Sequence, residues 1–225
     1  MQGNPDNSTP RLEGVLFDLD GTLIDTHDLI LASFRHATTA VLGRIIPDSI
    51  LMAKVGVPLE VQLEDFSDDP DLRRQMLQVY REYNHAFHDE MVRSFAGVEE
   101  SLRALNADGV RLGVVTSKRR QLAVRGLERF GLEGFFEFVI GSDDCRLHKP
   151  DPAPVLMGCE RMGLDPSRCA YVGDSPFDVA AGRDAGCLPV AAVWGMFPEA
   201  DLLAQRPGLV FRSPFELAGL SGMAG

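Results

Sequence analysis

The hydrophobic pattern changes rhythm twice along the chain. Val15-Leu16-Phe17 is an unbroken apolar run that ends abruptly in Asp18, Asp20, Gly21 and Thr22. Continuous apolar runs of this length read as strands buried on both faces. From about residue 97 onward, short apolar runs alternate with helical patterns. Residues 110–115 read as a buried strand, 119–130 as a helix stopped by Gly131, and 135–140 as a strand. A helix over 151–162 follows, with Asp151 at its N-cap and Pro152 at its first position. Then come a strand over 169–173, a helix over 175–185 ending at Gly186, and a strand over 188–193. Such alternation predicts an α/β fold, a Rossmann-like doubly wound parallel sheet covered on both faces.

Between the first strand and Gly97 the strand signal disappears. Leu72, Met76, Val79, Tyr83 and Phe87 fall on one face of a helix, and 28–42 and 59–66 are two further candidates. A helical block after the first strand of a parallel sheet predicts an inserted α-helical domain. Ligands in these sheets bind beyond the carboxyl ends of the strands, so an insert leaving that edge covers the site as a cap. The expected division is a loose polar tail over 1–10, a core over 11–24 and 96–225, and a cap over 25–95. Hinges are expected near 23–26 and 94–97, with Gly97 as a pivot.

Charge narrows the partners. Lys+Arg is 22 and Asp+Glu is 33, a net charge of −11, which repels nucleic-acid phosphates. No apolar run approaches about 18 residues, so no membrane span is expected. The N-terminus has no signal-peptide pattern. Cys145, Cys159, Cys169 and Cys187 form no CxxC pair. They fit a reducing cytoplasm rather than a zinc or redox site. The expected form is a cytoplasmic protein, with a monomer compatible with every feature.

The polar clusters fall at predicted strand ends. They are Asp18-x-Asp20-Gly21-Thr22, then Thr116-Ser117-Lys118, then Lys149 before Pro150, then Gly173-Asp174-Ser175-x-x-Asp178. Four clusters on one edge of one sheet converge on one pocket. Paired acids beside a lysine suit attack by a carboxylate on an anionic ester, provided a cation neutralises the charge.

In order and spacing these motifs resemble the haloacid dehalogenase-like superfamily, most of whose members are phosphatases. The resemblance implies that Asp18 attacks phosphorus and forms an aspartyl-phosphate. Asp20 protonates the leaving oxygen and then deprotonates the hydrolytic water. Thr116 or Ser117 binds the phosphoryl oxygens, and Lys149 supplies positive charge. Mg²⁺ is implied as cofactor, held by the Asp18 carboxylate, the Asp20 backbone carbonyl and Asp174. Asp20 disfavours carbon–halogen chemistry, which needs no second acid. The segments 27–34 and 80–90 resemble the cap of the phosphoglycolate phosphatase group, and within it a bacterial pyrophosphatase. The implied substrate is therefore a small phosphorylated molecule, with pyrophosphate and 2-phosphoglycolate first. A sugar phosphomutase is the second enzyme reading, although Ile30 stands near the expected cap histidine of the β-phosphoglucomutase type. A binding module with a vestigial pocket is the non-enzyme reading.

Several residues keep two readings. Asp25 is a helix N-cap or a catalytic acid. Asp178 either completes a capping box with Ser175 or supports the metal from behind. Lys118, with Arg119 and Arg120, is a substrate-binding group or a solvated first helical turn. His85 and His88 form an HxxH pair, but on the helix wheel they lie opposite the apolar stripe, so the expectation is a solvated polar face. Trp194 and Met196 are expected to pack.

Overall fold

The computed structural model describes residues 12–223; the expected tail over 1–10 lies outside them. Six parallel strands form one sheet in the order β5-β4-β1-β6-β7-β8. They are β1 (Gly14–Phe17), β4 (Arg111–Val115), β5 (Val139–Ile140), β6 (Cys169–Gly173), β7 (Leu188–Ala192) and β8 (Leu209–Phe211). The central strand explains its own sequence. Val15 and Phe17 point into one face with Leu102, Leu105 and Leu127. Leu16 points into the other face with Val155, Cys159 and Met162. The helices on the first face are α5 (Val98–Ala107) and α6 (Arg120–Arg129); those on the second are α7 (Ala153–Met162) and α8 (Pro176–Asp184). Because β1 pairs with β4 on one side and β6 on the other, the chain order reverses beside it. The crevice beyond its carboxyl end is the switch point where such sheets bind ligands.

The chain leaves the sheet after β1 and returns through a two-stranded antiparallel ribbon. Here β2 (Ile24–Asp25) pairs with β3 (Arg93–Ser94), Ile24 opposite Ser94. Between them lie α1 (His27–Leu42), α2 (Asp48–Leu51), α3 (Leu59–Gln62) and α4 (Pro70–Met91). This helical insertion has its own core, with Phe34 edge-on to Phe66 at 5.8 Å and to Tyr80 at 4.8 Å. Met196 and Phe197, from the loop after β7, pack against that core.

Three local expectations change. Residues 135–138 are not strand: Glu133–Phe135 is a 3₁₀ turn, and β5 keeps only Val139 and Ile140. The Phe136 ring sits edge-on to Phe17 at 6.1 Å, so its apolar character serves packing rather than a ladder. The helix expected from Asp151 begins at Ala153 with Pro152 at its N-cap, and the Asp151 carboxylate accepts from the Ala153 N–H at 2.9 Å. On α4 the buried face is Met76, Tyr80, Asn84 and His88, about one position round from the expected stripe. Phe87 is 38% exposed while His88 is fully buried. Asn84 earns its buried place by donating to Ser33 Oγ at 3.2 Å, and His88 by a 2.7 Å contact of Nδ1 with Asp89. His85 is exposed; no HxxH metal pair forms.

Candidate active site

Asp18 is the first residue after β1, and its N–H donates to the Val172 carbonyl at 2.8 Å. That bond extends the parallel ladder by one residue and fixes the carboxylate at the sheet edge. Gly21 then turns the chain with φ +83, a conformation a side chain resists. A Cβ there would also fall on the Asp174 carboxylate. DxDG is therefore a spacing rule: the glycine lets the first loop approach the acid that follows β6.

Lys149 lies at the centre. It is 3% exposed, with Nζ 2.7 Å from Asp18 Oδ1 and 2.5 Å from Asp178 Oδ1. Burial alone would lower the amine. The Asp178 and Asp18 carboxylates more than offset it and hold Lys149 protonated well above its ordinary value. Both Asp178 oxygens are held by protein donors. Oδ1 also takes the Tyr171 hydroxyl at 3.1 Å, and Oδ2 takes the Ser175 N–H at 3.0 Å together with its hydroxyl. The capping-box reading of Asp178 holds, since it completes the box of α8, and its other oxygen anchors Lys149, a contact the sequence did not announce.

Asp174 accepts from the Met196 N–H at 2.7 Å and from Thr22 Oγ1 at 3.3 Å. The carboxylates of Asp18, Asp174 and Asp178 are buried, with one oxygen from each lying within 4.8 Å of the others. Burial pushes Asp18 up to about 7, the Lys149 charge opposing and the Asp178 charge adding. Burial followed by the Asp178 and Asp18 charges raises Asp174 well above the carboxylate range. For Asp18 the rise from 3.8 corresponds to about 4 kcal/mol of destabilised anion. Three buried carboxylates face one lysine, so full ionisation leaves two negative charges. A divalent cation matches that deficit, and an all-oxygen donor set suits a hard one. The group could therefore hold a metal ion, with Asp18 and Asp174 as ligands and Asp178 already held by protein donors. Asp18 Oδ2 has no hydrogen-bond partner among the described residues, and Asp18 lines the cavity.

The second acid is set apart from this cluster. Asp20 Oδ1 accepts from Lys118 Nζ at 2.6 Å, both side chains mostly buried. Lys118 is therefore not a solvated helix-start lysine. Thr116 is buried at the end of β4, and its Oγ1 accepts the Lys118 N–H at 3.2 Å. Ser117 Oγ donates to the Gly56 carbonyl of the insertion at 2.6 Å. At the start of α6 the Arg120 N–H is taken by Asp143 at 2.8 Å. Asp25 accepts from the His27 N–H at 3.1 Å, a turn role at the start of α1. The cavity runs from Asp18, Asp20, Thr116, Lys118 and Asp174 up to Ile30, Val57, Gln62, Tyr80 and Asn84 of the insertion. Lys149 and Asp178 lie behind its floor.

Sequence reasoning missed three supports. Tyr171 braces Asp178 and the Val115 carbonyl from inside β6; a lone polar-tipped residue in an apolar run was the available signal. The Met196 N–H holds Asp174 through the backbone, where sequence carries no signal. Trp194 does more than pack, because Nε1 donates to the Thr22 carbonyl at 3.1 Å.

The comparisons agree with this architecture. The family model described as haloacid dehalogenase-like hydrolase matches residues 15–193. A Caldanaerobacter subterraneus subsp. tengcongensis protein, provisionally named pyrophosphatase PpaX, is 38% identical over 207 residues, covering 92% of this chain and 93% of its own. The pyrophosphatase PpaX of Bacillus pumilus is 36% identical over 209 residues, covering 92% and 95%. The crystal structure of a predicted phosphoglycolate phosphatase from Haemophilus somnus 129pt superposes with a TM-score of 0.85 at 25% identity, covering 93% and 98%. A chain whose DxDGT turn, buried lysine and GDSxxD acids meet at one sheet edge, and which these relatives match almost end to end, belongs to the haloacid dehalogenase-like hydrolases.

Proposed function

We propose that the protein is a Mg²⁺-dependent phosphohydrolase of small phosphorylated metabolites, working through a phosphorylated Asp18. The observation that carries this reading is the asymmetry of the two acids. Asp18 lines the cavity with one oxygen tied to Lys149, while Asp20, also in the lining, sits apart on Lys118. Bound at Asp18, Asp174 and the Asp20 carbonyl, Mg²⁺ would hold Asp18 ionised and draw charge from the phosphoryl oxygens. Lys149 fixes the Asp18 carboxylate and offsets repulsion between nucleophile and phosphate. Thr116 donates its hydroxyl hydrogen to a phosphoryl oxygen. Asp20 delivers a proton to the leaving oxygen and later removes one from water, and Lys118 contacts an anionic leaving group. The helical insertion over 25–95 acts as a cap that excludes water until substrate is seated. The names of the relatives make pyrophosphate and 2-phosphoglycolate the first substrates.

Phosphate release from a panel of pyrophosphate, 2-phosphoglycolate and sugar phosphates tests this, run with Mg²⁺ and with EDTA. Metal-dependent release is expected. Isomerisation of a sugar phosphate without net release would replace the reading with a mutase.

A further inference from the structure

The two adjacent hydroxyls after β4 have different hydrogen budgets. Each hydroxyl owns one hydrogen and can accept through its lone pairs. Thr116 Oγ1 accepts the Lys118 N–H at 3.2 Å, which leaves its hydrogen free. Ser117 Oγ gives its hydrogen to the Gly56 carbonyl at 2.6 Å, which leaves none for a phosphoryl oxygen. Gly56 belongs to the tight turn between Val55 and Val57, and its carbonyl is the acceptor the insertion lowers onto the strand edge. The turn is itself braced, since Gln62 Nε2 donates to the Val57 carbonyl at 2.7 Å. The fit is close on the core side: at φ +112, a Cβ on Gly56 would stand 2.8 Å from Ser175 Oγ and 3.2 Å from Phe177.

We propose that Ser117 is not a phosphate ligand beside Thr116 but a positioning residue that latches the insertion over the site through the Gly56 carbonyl. This rests on the phosphohydrolase reading for the identity of the anion, whereas the latch contact stands on the Ser117–Gly56 geometry alone. Releasing it costs the closed form one partly buried hydrogen bond, so the closed-to-open ratio falls by roughly threefold to tenfold. The latch acts on kcat through closure, whereas loss of Thr116 acts on the anion directly.

The test places spin labels on native Cys145 of the core and on Ile45→Cys, a position 90% exposed on the insertion. The other three cysteines are buried. Distance distributions are measured for the otherwise unchanged protein and for Ser117→Ala, Ser117→Thr, Gly56→Ala and Thr116→Val. Binding of inorganic phosphate in the presence of Mg²⁺ is measured by calorimetry on the same proteins. Ser117→Ala and Gly56→Ala should each add a longer-distance population, and in Ser117→Ala phosphate affinity should change less than about threefold. Ser117→Thr should restore the short distance, and Thr116→Val should weaken phosphate about tenfold with the distance unchanged. Ser117→Ala weakening phosphate as much as Thr116→Val, at an unchanged distance, would overturn the proposal. Neither readout requires turnover, so a protein that latches but releases no phosphate contradicts the proposed function and not the latch.

Discussion

Lys149 Nζ sits 2.7 Å from Asp18 Oδ1 in a position closed to solvent, although the two residues are 131 apart in sequence. The pair joins the first strand to the loop before α7 and makes the charge of Asp18 depend on a residue from the other half of the core. Removing one partner of a buried pair leaves the other uncompensated, at a cost of about 3–5 kcal/mol. Lys149→Met should destabilise the metal-free protein by that order at pH 7, and by less at pH 5, where the clustered acids take up protons. Urea unfolding in EDTA at the two pH values checks both the size and the sign.

The raised acids make metal-free stability fall with pH. Unfolded Asp18 and Asp174 titrate near 3.8; folded, Asp18 moves up to about 7 and Asp174 well above its ordinary value. The folded state therefore binds more protons than the unfolded state between these values. The contribution is complete below about pH 3.8 and is lost as pH rises through about 7. In EDTA, Tm should drop by a few degrees per pH step from 5 to 7. Mg²⁺ should flatten the profile and bind more tightly as pH rises, because its carboxylate ligands must ionise. A flat profile in EDTA would remove the case for a charge-deficient acid cluster.

Gly21 separates backbone strain from site geometry. Gly21→Ala places a methyl on the Asp174 carboxylate, whereas Gly43→Ala meets nothing within 4 Å at a similarly positive φ. Both should lose about 1–2 kcal/mol of stability to strain. Only Gly21→Ala should weaken Mg²⁺, by tenfold or more, in a calorimetric titration.

The sheet, the insertion and the acids were legible because each leaves a periodic or motif signature. Val15-Leu16-Phe17 reads as doubly buried strand, and Asp18, Asp20 and Asp174 follow strands directly. What was not legible depends on tertiary contact. The buried face of α4 holds Asn84 and His88, which a hydrophobic wheel assigns to solvent; Ser33 takes the Asn84 amide and Asp89 meets His88 Nδ1, while His88 Nε2 is left without a partner among the described residues. Burial depresses His88 despite its carboxylate neighbour. Its position at the junction with Gly126 and Ile24 appears only when the insertion meets the core. Backbone donors such as the Met196 N–H carry no side-chain signal.

Lys118 holds Asp20 at 2.6 Å where an anionic leaving group would compete for it. Charge-assisted contacts of this kind are worth roughly twice neutral ones. Lys118→Met should raise KM for pyrophosphate by about tenfold or more, and much less for a phosphomonoester with an uncharged leaving group. Equal changes for both substrates would assign Lys118 to holding Asp20 alone.

Attack of Asp18 on phosphorus is the step on which the proposed phosphohydrolase activity stands. The direct measurement is an acid-quenched single turnover with radiolabelled pyrophosphate and Mg²⁺, followed by peptide mapping. Label on the peptide containing Asp18, released by alkali and absent from Asp18→Asn, is the predicted result, together with a fall in turnover of at least about a thousandfold in that variant. Turnover without protein-bound label, or with label that survives Asp18→Asn, would contradict the account.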